Sequence, residues 1–228
     1  MLIHSWKGRL RLGVAASTLA IPLLLTSCGS DGGSETTASL SPSDCPAAAA
    51  KTHTYDAEPS PSIDVAKTYT AVMTTTKGTI EFVLDPKRAP ITVNSFVFLA
   101  KKRYFDCIQF HRVVPGFVLQ GGDPFTIDNS GPIGTGGPGY KFVDELPKAN
   151  EYKFGSLAMA NSGPNTNGSQ FFIISGPEGE QLPPIYALFG QASKGDDVIK
   201  AIDALGVPNQ DGPPSENVTI LTVTIKES

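Results

Sequence analysis

Tryptophan, histidine and cysteine are all scarce in this chain of 228 residues, which has one, three and three of them. The single tryptophan, Trp6, lies close to the start. So few histidines and cysteines leave little from which to build a histidine- or thiolate-based metal site. No apolar run reaches the roughly 20 residues that a spanning helix needs. The longest, Leu12 to Leu25, has 14 residues and is interrupted by Pro22. Basic charge is not in excess either: 18 Lys and Arg stand against 22 Asp and Glu, a net charge of −4. That removes the electrostatic footprint of a nucleic-acid binder. What is plentiful is glycine (23) and proline (19), within a composition that is 40% hydrophobic and 18% charged. Such a chain suits a turn-rich soluble domain with a real core, and excludes a polytopic membrane protein, a coiled coil and a wholly disordered chain.

The average hides three segments. Lys7, Arg9 and Arg11 precede the apolar run, and the small residues Thr26-Ser27-Cys28 follow it. A basic start, a short apolar stretch and small residues before a cut site form a secretory signal. Leu25-Thr26-Ser27-Cys28 also looks like a bacterial lipobox, whose cysteine takes a diacylglyceryl thioether and becomes the new N-terminus. An ordinary signal peptide or an uncleaved anchor is the alternative. Removal of residues 1–27 leaves 15 basic against 22 acidic residues, a net charge of −7. An acidic chain gains little at an anionic membrane, so attachment would rest on two acyl chains at Cys28. Residues 28–66 are rich in Ser, Thr, Ala, Gly and Pro, with Leu40, Tyr55, Ile63 and Val65 as the larger apolar residues. They bury too little to offset the entropy of ordering, and are expected to form a flexible tether. Residues 67–228 hold the folded domain.

There the texture changes to short strands and turns. Tyr69–Thr76 and Thr79–Leu84 read as a hairpin turning at Lys77-Gly78. Pro90 opens a helix whose stripe Ile91, Phe96, Leu99 and Ala100 is to be buried. Strands are expected at 108–114, 117–120, 156–160, 170–175, 186–190 and 218–225, with a second helix opened by Asp196-Asp197 and running to Leu205. Many strands and two helices predict a mainly antiparallel barrel.

Two stretches carry chemistry. Phe110-His111-Arg112-Val113-Val114-Pro115-Gly116-Phe117-Val118-Leu119-Gln120-Gly121-Gly122-Asp123 places an arginine and a glutamine on otherwise apolar strands. Met159-Ala160-Asn161-Ser162-Gly163-Pro164-Asn165-Thr166-Asn167-Gly168-Ser169-Gln170-Phe171-Phe172-Ile173 sets a polar loop between two hydrophobic strands. Together and in order they resemble the cyclophilin family of peptidyl-prolyl cis/trans isomerases, over about 160 residues from Tyr69 to Ile225. The resemblance implies a closed eight-stranded antiparallel barrel capped by two helices, and isomerisation of X-Pro bonds without a cofactor or metal. It implies Arg112 as the catalytic residue. It implies Phe117, Val118, Phe172 and Leu182 as the lining of a proline pocket, with Tyr186 at the rim. Gln120 and Asn161 would hold the substrate backbone, and Gly134, Ala160, Ser162 and Gln170 the neighbouring groove. The chain departs from the family at Gln181, where a tryptophan is common, and at Tyr186, often a histidine.

Other patterns have plainer readings. His111 has no second histidine in the domain to share a metal, and no Gly-x-Ser-x-Gly elbow exists, so a structural role is expected. Gly134-Thr135-Gly136-Gly137-Pro138-Gly139 fits a dinucleotide fingerprint in letters only; Asn129-Ser130-Gly131-Pro132 precedes it where a strand is required. Outside the cytoplasm Cys45 and Cys107 would pair; the alternative is two separate thiols with Cys107 buried. The expected protein is thus a monomeric, membrane-tethered isomerase acting on proline-containing polypeptides outside the cytoplasm, with no nucleic-acid partner. A proline-peptide-binding holdase with incidental turnover is the competing reading, and binding alone would not demand the arginine. A surface adhesin or solute-binding lipoprotein fits less well.

Overall fold

A computed structural model of the chain describes Cys45 and residues 54–228. Cys28, the apolar N-terminal run and the rest of the expected tether lie outside the described residues. All strand pairings are antiparallel, in one eight-stranded sheet: β1 (Tyr69–Thr75), β2 (Gly78–Leu84), β3 (Arg112–Val114), β4 (Val118–Gly121), β5 (Ser156–Met159), β6 (Phe171–Ile174), β7 (Leu188–Lys194) and β8 (Ile220–Glu227). The spatial order is β3-β4-β6-β5-β7-β2-β1-β8.

The sheet curls into a half-barrel and is not the closed barrel expected from the sequence. Its outer strands β3 and β8 are not paired with each other. The gap is crossed instead by the irregular segment before β3. Cys107 N–H donates to Ile220 O, Ile220 N–H to Ile108 O and Phe110 N–H to Val218 O, around a lone bridge between Gln109 and Thr219. Cys107 turns at φ +70, and Pro213-Pro214 upstream of β8 supply no N–H, so a continuous ladder cannot form there. The two expected helices, α1 (Pro90–Lys101) and α4 (Asp196–Asp203), are joined by two single-turn helices, α2 (Phe125–Asp128) and α3 (Pro177–Glu180). A distant carboxylate caps α1: Glu145 accepts from the N–H groups of Ile91 and Thr92 and from the Thr92 hydroxyl. Ile91, expected in the buried stripe, is 40% exposed, while Val93, Phe96, Val97, Leu99 and Ala100 are buried.

Strand parity explains both the apolar runs in the sequence and the position of the site. Leu119, Leu157, Met159, Phe171 and Ile173 face a large core with Phe96, Phe105 and Phe189. Their alternating neighbours Val118, Ala158, Phe172 and Ile174 face the other way, in a second cluster with Tyr152 and Leu188. Strands buried on both faces lose polar alternation, which is why Phe171-Phe172-Ile173-Ile174 reads as an unbroken apolar run.

Residues 54–66, expected to belong to the tether, lie against the domain. Tyr55 N–H donates to Pro138 O at 2.7 Å and its ring meets Phe98 edge-on at 5.1 Å. Ser62 N–H donates to Asn94 Oδ1, whose amide in turn donates to Pro59 O and Ser60 O. A few apolar anchors and one buried asparagine are enough to hold a segment of otherwise spacer-like composition. Cys45 is joined to Cys107 in a disulfide with Cα atoms 5.6 Å apart, so the two are not separate thiols.

Candidate active site

The second cluster forms the floor of a pocket of about 150 Å³, bordered by Arg112, Phe117, Val118, Gln120, Ala160, Asn161, Phe172, Leu182 and Tyr186. Register alone brings the central residues together. Arg112 on β3 stands opposite Gln120 on β4, and Gln120 opposite Phe172 on β6. Val118 lies two residues from Gln120 and shares its face. Phe117 is half-buried just before β4 and takes the Arg112 guanidinium over its ring at 5.8 Å. Across the pocket, Tyr186 meets Phe172 edge-on at 5.2 Å. Buried Tyr152 fixes this rim: its hydroxyl donates to Tyr186 O at 2.7 Å and accepts from Tyr186 N–H. Burial pushes the Tyr152 phenol up to about 12.

A second, larger depression of about 590 Å³ shares Gln120, Ala160 and Asn161 and adds Gly134, Ser162 and Gln170. Thr54, from the docked N-terminal segment, forms part of its wall. All twelve residues that the resemblance nominates therefore border one or the other of two adjoining hollows. The Gly134–Gly139 stretch is a loop, with no strand before it and no helix after it.

Polar side chains link the two hollows. Arg112 Nη1 donates to Gln120 Oε1 at 3.2 Å, and Gln120 Nε2 donates to Gln170 Oε1 at 3.0 Å. Gln170 Nε2 donates to the carbonyls of Gly134 and Gly136 at 3.0 and 2.9 Å. That loop is held from beneath by Asp123, fully buried, whose carboxylate accepts from Gly134, Gly136 and Phe125 N–H. Gly136 packs so closely on it that a Cβ there would lie 2.1 Å from Asp123 Oδ1. Gly122, at φ +89, allows the preceding chain to pass Ser169, whose carbonyl would be 2.3 Å from an added Cβ. The Gln-Gly-Gly-Asp motif thus couples a strand to the loop that frames the groove.

Asn161 is less free than the sequence implies: its amide donates to Ile185 O at 3.0 Å and its carbonyl accepts from Gly163 N–H. His111 lies beside this machinery but outside both hollows. Its Nδ1 is buried without a partner, and burial lowers its pKa from the ordinary value, against the pull of Asp123. Two residues that support this arrangement escape a reading of the sequence. Asp123 sits inside a recognised motif with no local sign of its acceptor role, and Asp211, 99 positions from Arg112, pairs with it across the fold.

A family model described as cyclophilin type peptidyl-prolyl cis-trans isomerase/CLD matches residues 70–225. Over 174 residues the chain is 40% identical to peptidyl-prolyl cis-trans isomerase B of Streptomyces anulatus, covering 68% of this chain and 95% of the relative. It is 42% identical over 173 residues to a probable peptidyl-prolyl cis-trans isomerase B of Mycobacterium leprae (strain TN), covering 67% of this chain but spanning only about half, 55%, of that longer protein. A crystal structure of a Cryptosporidium parvum cyclophilin type peptidyl-prolyl cis-trans isomerase superposes with a TM-score of 0.62 and 28% identity, covering 71% of this chain and 99% of the other. The chain belongs to the cyclophilin-type peptidyl-prolyl cis-trans isomerase family.

Proposed function

We propose that the domain accelerates cis/trans isomerisation of X-Pro bonds in polypeptides outside the cytoplasm, with Arg112 as its catalytic residue. Peptide resonance opposes rotation with a barrier of about 18–20 kcal/mol. The two X-Pro isomers differ by only about 0.5–1 kcal/mol, so the equilibrium is balanced but slow. A catalyst need not break a bond; it must bind the twisted amide better than either planar form. Twisting localises the nitrogen lone pair and shifts charge on the carbonyl. A fixed guanidinium N–H stabilises that state by donating to it.

The pocket would grip the proline ring while the chain on the other side of the bond swings. Its three ring methylenes, at about 0.8 kcal/mol each, supply about 2 kcal/mol of binding against Phe172, Val118 and Phe117. A cyclophilin structure from Cryptosporidium parvum was determined in the presence of the dipeptide Ala-Pro, which supports a ligand of this class. Gln120 would steady the flanking backbone; with both groups of the Asn161 side chain engaged, Asn161 would contribute through its main chain. Gly134, Ala160, Ser162 and Gln170 would receive residues preceding the proline. A lipid on Cys28 would hold this monomeric domain at the outer side of a bacterial membrane, the chain between Cys28 and the disulfide-bonded Cys45 serving as spacer.

One observation carries the catalytic reading: the only cation among the described residues at the pocket rim sits in register opposite Gln120, at the edge of an apolar floor built by the alternate face of three strands. Turnover of an Ala-Pro peptide, followed by exchange NMR, tests it. Arg112→Ala is expected to lower kcat/KM by about two to three orders of magnitude while the domain stays folded. Near-normal turnover by that variant would refute the assignment of Arg112 as the catalytic residue.

A further inference from the structure

We infer that Asp211 is a positioning residue for this isomerisation, holding Arg112 from outside the pocket in the orientation that serves the substrate. The inference rests on the catalytic reading of Arg112 given above. Asp211 lies in the loop between α4 and β8, and its carboxylate takes the guanidinium side-on. Arg112 Nε donates to Asp211 Oδ1, and Nη2 donates to Oδ2 at 2.9 Å. Such two-point contact fixes a planar group as a single hydrogen bond does not. The loop that carries the acid is itself registered on β3, because Val113 N–H donates to Gly212 O at 2.8 Å. Asp211 and Gly212 therefore run beside Arg112 and Val113 at the edge of the sheet. The acid cannot drift relative to its partner.

The count of donors shows what this arrangement leaves. An arginine has five N–H groups. Two go to Asp211 and one to Gln120, along different edges of the guanidinium. One N–H on each Nη remains. Arg112 and Gln120 border the pocket and Asp211 does not, so the acid holds the group without competing for the substrate's place. Its carboxylate is 64% exposed, so the pair adds little to stability; an exposed acid with so little stability to give is suited to orientation. The Arg112 guanidinium holds the Asp211 carboxyl below its usual range. Without the acid, the guanidinium would keep only one hydrogen bond, to Gln120, and its place over the Phe117 ring, and its plane would be less strictly oriented.

The test uses the full chain carrying Asp211→Asn or Asp211→Glu, beside Arg112→Ala, with kcat and KM for an Ala-Pro peptide measured separately. Asp211→Asn is expected to lower kcat by about tenfold with KM within about twofold, since only the oriented state is lost. The longer but still exposed acid of Asp211→Glu is expected to recover much of that loss. The Arg112 Nε–H signal is expected to exchange slowly with water in the wild type and in Asp211→Glu, and faster in Asp211→Asn. An Asp211→Asn variant with kcat within about twofold of the wild type, a loss carried by KM, or a loss unrelieved by Asp211→Glu would each overturn the inference. If Arg112→Ala retains normal turnover, the catalytic reading itself fails; if only the Asp211 variants are silent, that reading stands and this inference falls.

Discussion

Asp123 offers a test of how the groove is built, because its two carboxylate oxygens do different things. Oδ1 accepts from Phe125 N–H at 2.8 Å; Oδ2 accepts from Gly134 N–H and, at 3.3 Å, from Gly136 N–H. The residue has no exposed surface, and Gly136 is buried against it. Asp123→Ala would strand three backbone donors. Hydrogen bonds to a charged acceptor contribute about 1.5–3 kcal/mol each. Two of the three donors are only partly buried and can recover water, and the hydration lost by the carboxylate is regained. The net loss is then about 3 kcal/mol, a large share of a typical 5–15 kcal/mol total. The more discriminating variant is Asp123→Asn. An amide has one acceptor oxygen, so it can keep Phe125 or the two glycines but not both, and its NH₂ must face the donors that the lost oxygen served. Asn is therefore expected to cost about 2–3 kcal/mol, nearly as much as Ala, despite its matching shape. Urea denaturation measures this as a fall in midpoint at constant slope. Because Gln170 hangs on the carbonyls of Gly134 and Gly136, KM for peptides extended before the proline should rise in the same variants. An Asp123→Asn domain within about 0.5 kcal/mol of the wild type would refute the assignment of both oxygens as acceptors.

Two further outcomes are expected. Replacing Cys45 and Cys107 together by serine should lower stability by up to about 4 kcal/mol, the entropy of closing a loop across a separation of 62 residues; a loss below about 1 kcal/mol would show that the segment between them orders without the bridge. The buried phenols of Tyr140 and Tyr152 are pushed by burial from 10.0 to about 12, so the folded state keeps protons that the unfolded chain releases. That contribution is intact below pH 10 and is lost as pH rises to about 12, so urea midpoints should fall across this window and tyrosinate absorbance should appear with unfolding; full ionisation in the folded state would contradict it.

What was legible in the sequence was set by local periodicity, and what was not depended on partners far along the chain. The β1–β2 hairpin and both long helices follow from alternation and turn residues within a few positions of one another, whereas the pocket residues were implied only by the resemblance to the cyclophilin family. Two residues separated by one on a strand share a face whatever the register, which is how the fold sets Val118 beside Gln120. The half-barrel could not. Whether β3 and β8 close depends on a turn at Cys107 and on prolines at 213 and 214, which constrain each other only once the strands are assembled. The same holds for residues 54–66, whose composition is that of a spacer but whose amide contacts with Asn94 need a helix formed 32 to 35 residues later. Asp211 lies in a loop rich in Pro, Asn and Gly, where acids are ordinary; only the fold sets it against Arg112.

The glutamines between the two hollows show how one permanent donor can orient a row of ambiguous groups. An amide can present its oxygen or its nitrogen with almost the same shape, so each glutamine alone could face either way. Arg112 has no acceptor, which forces Gln120 Oε1 toward Nη1 and turns Gln120 Nε2 toward Gln170. Gln170 must then accept through Oε1, which leaves its Nε2 for the carbonyls of Gly134 and Gly136, the only kind of partner that a donor there can use. Both ends of the row demand the same polarity, and flipping either amide would set donor against donor and acceptor against acceptor. The groups around the proline site are thus held in one arrangement before any substrate arrives. A reaction with no bond to break needs just that, because its rate rests on fixed dipoles and not on groups that reorient during the rotation.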